Sequence, residues 1–119
     1  MVKNIFSTTG IPSAKDQEQV ECLCSGEGLY IERIISWGQV SDPGHWYDQD
    51  RHEWVLLLTG KASLQFENGQ LVHLSGGDYL LLPAGLKHRV AYTSKDRECI
   101  WLAVHFKSTE PRQDAANSI

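Results

Sequence analysis

The chain has 119 residues, 41% of them hydrophobic and 22% charged, with a formal net charge of -4. That length suits one domain, large enough to bury about two-thirds of the surface of its extended chain. The 11 basic residues are scattered with no stripe of interleaved aromatics, which excludes an electrostatic footprint for nucleic acid.

No apolar run approaches the roughly 20 residues that span a bilayer, so no membrane partner is expected. The first residues lack a cationic segment followed by an apolar one, and the reading that follows is a cytoplasmic protein. Three cysteines agree with a reducing compartment: Cys22 and Cys24 are one residue apart, Cys99 is distant, and all three read as thiols.

In chain order, residues 1–28 read as an N-terminal extension, with Ile5-Phe6 as a short edge strand and Ala14 to Leu23 as one or two helical turns. Ser25-Gly26-Glu27-Gly28 punctuates the chain, and from there strand follows strand. Leu29 to Trp37 is rich in β-branched and aromatic residues, and Ser41-Asp42-Pro43-Gly44 is a turn. His52 to Thr59, Ala62 to Phe66, Gln70 to Leu74, Asp78 to Leu82, His88 to Thr93 and Glu98 to Phe106 complete seven candidate strands. Asn68-Gly69 between two of them is a type I′ hairpin signal. The tail from Lys107 to Ile119 is polar, aperiodic and expected to fray. Short strands at near-regular spacing indicate an all-β barrel or sandwich over residues 29–106. Trp54-Val55-Leu56-Leu57-Leu58 is apolar on both faces, so the outer face needs a second layer or a partner subunit, and a homodimer is expected.

Two spacings carry chemistry. Glu53 is followed by six residues and Gly60; Gly77 is followed by five and Pro83, with Gly85 and then His88 close behind. This arrangement resembles the cupin family, covering roughly residues 31–106. The resemblance implies a jelly-roll barrel (a double-stranded β-helix), usually dimeric, often with one divalent metal at the wide end. The family's first motif also carries a His-x-His pair, whose positions fall at Trp46 and Asp48 or, with shorter spacing, at Tyr47 and Gln49. Its terminal asparagine in the second motif is replaced by Tyr92.

If Glu53 faces the interior, strand alternation puts Val55 and Leu57 beside it and turns His52, Trp54 and Leu56 away. The same rule puts His88, Val90 and Tyr92 on one inward face. The candidate metal set is Asp48, Glu53, His88 and His45, because carboxylate and imidazole suit iron, manganese, nickel or zinc. Trp46, Tyr47, Gln49 and Tyr92 are the candidate ligand-pocket residues. The bland alternatives are His88 bonded to a backbone carbonyl and Glu53 paired with Arg33 or Arg89. His73 and His105 match no motif position and read as structural. Without a metal, Tyr47, Gln49, Glu53 and His88 still form a hydrogen-bonding cluster suited to acid–base work. The functional reading is a cupin holding a divalent metal and a small polar organic ligand. A metal-free binding or sensing cupin and a dimer scaffold are its rivals.

Overall fold

The computed structural model describes residues 1–11 and 17–107. Eight strands run in order: β1 (Gln19–Gly26), β2 (Leu29–Ser36), β3 (Arg51–Thr59), β4 (Lys61–Phe66), β5 (Leu71–Ser75), β6 (Tyr79–Leu82), β7 (His88–Thr93) and β8 (Cys99–Lys107). They form two antiparallel sheets, β1-β2-β8-β3-β6 and β5-β4-β7. The fold is all-β and cupin-like, with no helix among the described residues.

Seven of the strands sit where the sequence pattern puts them. The eighth, β1, lies where helical turns were expected. Gln19 to Leu23 is extended and paired to β2, with Gln19 opposite Ile35 and Gly26 opposite Leu29. An edge strand with most side chains in water shows no period-two pattern, so its polar sequence passed for a helical turn. Ala14 and its neighbours in residues 12–16 lie outside the described residues, as does the tail at residues 108–119. Ile5-Phe6 is a turn, closed by Ser7 N–H donating to the Asn4 carbonyl, and not a strand. The 1–11 segment is held by Arg33, which donates to the carbonyls of Ile5 and Ser7 and pairs with Glu21.

Alternation along the strands builds the interior. Val55 and Leu57 of β3, Ala62 and Leu64 of β4, and Trp101 and Ala103 of β8 are buried together between the sheets. Burying Val55, Leu57 and Leu64 contributes about 1.5–3 kcal/mol each, and the two alanines less. The outer face of the larger sheet is less covered: Trp54, Leu56, Leu102 and Val104 are half-buried.

Left-handed backbone calls for glycine at the two corners that flank β4. Gly60, joining β3 to β4, has φ of 87°, and a Cβ there would lie 2.7 Å from Cys99 Sγ and 2.9 Å from the Glu98 carbonyl oxygen. Gly69 has φ of 89° while Asn68 has no positive φ, so the β4–β5 turn is not type I′. Gly69 N–H donates to the Phe66 carbonyl, and Phe66 N–H to that of Gln70, which is a type I turn closed by a left-handed glycine bulge.

Gly60→Ala is expected to destabilise the fold by about 2 kcal/mol or more, combining left-handed strain with a backbone clash. Thermal denaturation checks this; an unchanged Tm would show that the β3–β4 corner is not tightly closed.

Candidate functional site

Four neighbouring strands bring the site together through register alone. In the larger sheet Tyr30 of β2 faces His105 of β8, His105 faces Glu53 of β3, and Glu53 faces Leu82 of β6. One row further in, Glu32 faces Ala103, which in turn faces Val55. Ala103 is small and fully buried, so Glu32 reaches diagonally across it to His105. The Tyr30 ring stacks on His105 with centroids 4.3 Å apart. Arg51 lies over that tyrosine, 5.2 Å from the ring centre.

The other half of the site is delivered by a turn. Pro83 to Leu86 reverses the chain, with Leu86 N–H donating to the Pro83 carbonyl and Gly85 in the left-handed region at φ 82°. Three contacts pin this turn against the start of β3. Gly85 N–H donates to the Gln49 carbonyl, Ala84 N–H donates to His52 Nδ1, and His88 exchanges backbone bonds with Tyr47. The outward-facing His52 is thus a buried acceptor for the turn. The Tyr47–His88 bridge fixes the shorter of the two motif spacings, so Tyr47 and Gln49 line the cavity where the family's histidine pair would stand.

The cavity measures about 220 Å³, with an apolar floor that includes Ile34, Val55, Leu64, Leu82 and Trp101. Above it lie Glu53, His88 and His105, with Glu32 and Glu18 on the β1–β2 side. His88 Nε2 is 3.7 Å from Glu53 Oε1, and His105 Nε2 is 3.9 Å from Glu53 Oε2. His105 Nε2 also lies 2.8 Å from Glu32 Oε1. His88 donates from Nδ1 to the Leu86 carbonyl at 3.0 Å, the bond anticipated as its bland alternative. That bond does more than satisfy the ring: in the neutral imidazole it leaves the Nε2 lone pair facing Glu53.

Glu53 is 8% exposed, and its Oε1 is buried with no hydrogen-bond partner. Burial pushes its carboxyl above the ordinary carboxylate range; His105 and His88 pull it back, and Glu32 pushes it further up. Neither arginine suggested as its partner pairs with it. Arg33 holds Glu21, and Arg89 donates to Gln65 Oε1 and the Ser41 carbonyl.

Of the candidates read from sequence, Glu53, His88, Tyr47 and Gln49 come together. Asp48 and His45 are exposed and outside the cavity wall, His45 packing edge-on against Tyr47 at 5.2 Å. Trp46 is half-buried and also outside it. Tyr92 is 49% exposed and faces away. The reason is a bulge in β7: Ser63 pairs with Tyr92 but Leu64 with Val90, so Ala91 is the extra residue and alternation flips after it. His88 and Val90 therefore face the cavity and Tyr92 does not. His105, read as structural, sits at the centre. It belongs to no motif, and the signal that finds it is its inward parity with Trp101 and Ala103 on β8. His73 is exposed and bonded to Ser63 at 2.7 Å, away from the cavity.

Comparison with known proteins agrees with this geometry. The family model for the cupin domain matches residues 34–105, and the chain belongs to the cupin family. The uncharacterised protein YjlB of Bacillus subtilis (strain 168) is 33% identical over 74 residues, covering 55% of this chain and 45% of that protein. The chain thus spans less than half the length of that relative. A crystal structure of a candidate mannose-6-phosphate isomerase from Ralstonia eutropha JMP134 superposes with a TM-score of 0.83 at 38% identity, covering 91% of this chain and 99% of that one. A cupin superfamily protein from Desulfitobacterium hafniense DCB-2 shares the fold alone, at TM-score 0.69 and 19% identity over 82% of this chain and 84% of its own.

The raised Glu53 carboxyl sets a pH dependence. Its ionisation is penalised in the folded state, so the penalty is full above the folded pKa and absent below the ordinary carboxylate range. In chelator-treated protein, Glu53→Gln is therefore expected to stabilise by about 1 kcal/mol at neutral pH and to lose that advantage on acidification towards the ordinary carboxylate range. Melting curves of both proteins across that range decide it. A wild type more stable than the variant at neutral pH would mean the carboxylate is well compensated.

Proposed function

We propose that the protein uses this cavity to hold a divalent metal ion and a small polar organic ligand. The observation that carries the reading is Glu53 Oε1, buried without a partner opposite the open nitrogen of His88. Leaving such a group unmet costs about 1–3 kcal/mol, and more when it is charged. A cation between the two groups relieves that cost. First-row divalent ions bind imidazole nitrogen and carboxylate oxygen at about 2.0–2.2 Å, so groups 3.7 Å apart can share one ion.

Among the described residues no three histidine, cysteine, aspartate or glutamate side chains already converge into a formed metal site. Glu53 and His88 would hold the ion, with Gln49 as an oxygen donor in the cavity wall and His105 adjoining Glu53. Such an ion supplies Lewis acidity to a bound carbonyl or hydroxyl. The chain's own groups do the rest. The apolar floor excludes water beneath the ligand, and Tyr47 and Gln49 offer a hydroxyl and an amide at the rim. His105, hydrogen-bonded to Glu32, is a proton carrier next to Glu53. The half-buried outer strip of Trp54, Leu56, Leu102 and Val104 favours a homodimer that covers it.

A metal-free binding cupin is the second reading. It is favoured by the Glu32–His105 bond, which occupies one imidazole, and by Tyr47 and Gln49 in place of two others.

Calorimetric titration of chelator-treated protein with Mn(II) or Zn(II) is expected to give one site per chain, weakened tenfold or more by His88→Ala. Affinity should rise from acidic to alkaline pH, because both ligands must shed their protons. No binding, or binding indifferent to His88, would leave the metal-free reading.

A further inference from the structure

The charges lining the cavity are of one sign. Among the described residues Glu18, Glu32 and Glu53 face it, and no lysine or arginine does; the groups there able to become positive are His88 and His105. Each imidazole already spends one nitrogen on a neighbour: His88 Nδ1 on the Leu86 carbonyl and His105 Nε2 on Glu32. Nothing in the wall offers an anion the bidentate or ammonium donors that hold phosphate and carboxylate groups.

An acidic lining alone would be only a solvated patch. Here a second feature marks a ligand site: Glu53, 8% exposed, lines the cavity with an oxygen that has no hydrogen-bond partner. Two further observations define the shape of the missing group. The floor below the acids is apolar, with Trp101 buried in it and the Tyr47 ring at the rim. The volume of about 220 Å³ equals the share of about seven waters in the liquid, enough for a compact organic body. Carboxylates above apolar and aromatic walls are the surroundings an organic ammonium group seeks.

We propose that the organic ligand of this cavity is a small cation, its ammonium group held among Glu53, Glu32 and Glu18 and its apolar part lying on Trp101, Val55 and Leu64. The inference deepens the reading of the cavity as the ligand site and names the ligand's charge. Sugar phosphates, the class implied by the name of the Ralstonia relative, are disfavoured by the same wall. Glu18 accepts from Ser36 Oγ at 3.3 Å, and Glu32 is turned towards His105, so both carboxylates are anchored from the β2 and β8 side. The Glu53–His88 pair lies on the β3 and β7 side and adjoins Glu32 through His105, whose Nε2 is 2.8 Å from Glu32 Oε1 and 3.9 Å from Glu53 Oε2.

The test uses three probes of equal size and different charge, n-butylammonium, n-butanol and n-butyrate, together with mannose 6-phosphate. Each is titrated by calorimetry into the full chain, once chelator-treated and once loaded with Mn(II). Butylammonium is expected to bind the chelator-treated protein at least tenfold more tightly than butanol, with no saturable binding of either anion. Glu32→Gln should weaken the ammonium tenfold or more; Glu18→Gln, at a more exposed position, serves as the second variant if the first fails to fold. Butyrate or mannose 6-phosphate binding the chelator-treated protein as tightly as butylammonium would overturn the proposal, as would no saturable butylammonium binding. Anions captured only after Mn(II) loading would overturn it while upholding the metal reading. Butylammonium binding in protein that takes up no metal would uphold it while ending the metal reading.

Discussion

The pairing of Glu53 with His105 across β3 and β8 places a carboxylate inside a two-sheet interior, and the rest of the site is arranged around that burden. A carboxylate withdrawn from water demands opposite charge or hydrogen bonds. Glu53 receives only part of this. Two imidazoles stand at 3.7 and 3.9 Å, beyond hydrogen-bonding distance, and Glu32 adds like charge nearby. A fold that needed nothing from this position would put an aliphatic residue beside Val55 and Leu57. An acid there carries a desolvation cost that a cation beside it would relieve.

The backbone devices around the cavity make sense as means of holding that arrangement open. Pro83 and Gly85 shape a turn whose amides are spent on Gln49 and His52, so His88 emerges at a fixed height above Glu53. The bridge from Tyr47 to His88 then carries the irregular segment before β3 along the mouth, bringing Tyr47 and Gln49 into the wall. Ala103 leaves the room that Glu32 uses to reach His105. Each element is local, yet all converge on the two oxygens of one side chain. The same convergence leaves three carboxylates, Glu18, Glu32 and Glu53, facing one cavity.

Most of the strand order was legible in the sequence because alternation and turn glycines report burial directly. Glu53 and His88 were legible through spacing to Gly60 and Pro83. The missing pieces have separate physical causes. Strand β1 is an edge with six of its eight residues exposed, so little periodicity marks it. Tyr92 carried the expected parity until one extra residue, Ala91, reversed it, and a bulge leaves no signature in composition. Asp48 has the chemistry of a metal ligand, but which residues face inward is decided by the backbone pairing of Tyr47 with His88, a contact 41 positions apart in sequence. His105 lies outside every motif; parity with Trp101 and Ala103 turns it inward, but its place beside Glu53 follows from cross-strand register, which the sequence pattern does not disclose.

The claim on which this account stands is that Glu53 is a buried acid short of partners. Selective carbon-13 labelling of glutamate, with the Glu53 carboxyl assigned through Glu53→Gln and followed by NMR across pH in chelator-treated protein, measures it directly. The account predicts a midpoint above the ordinary glutamate value of about 4.3, falling when a cation is added. A midpoint at or below that value, unmoved by Mn(II) and by butylammonium alike, would contradict it.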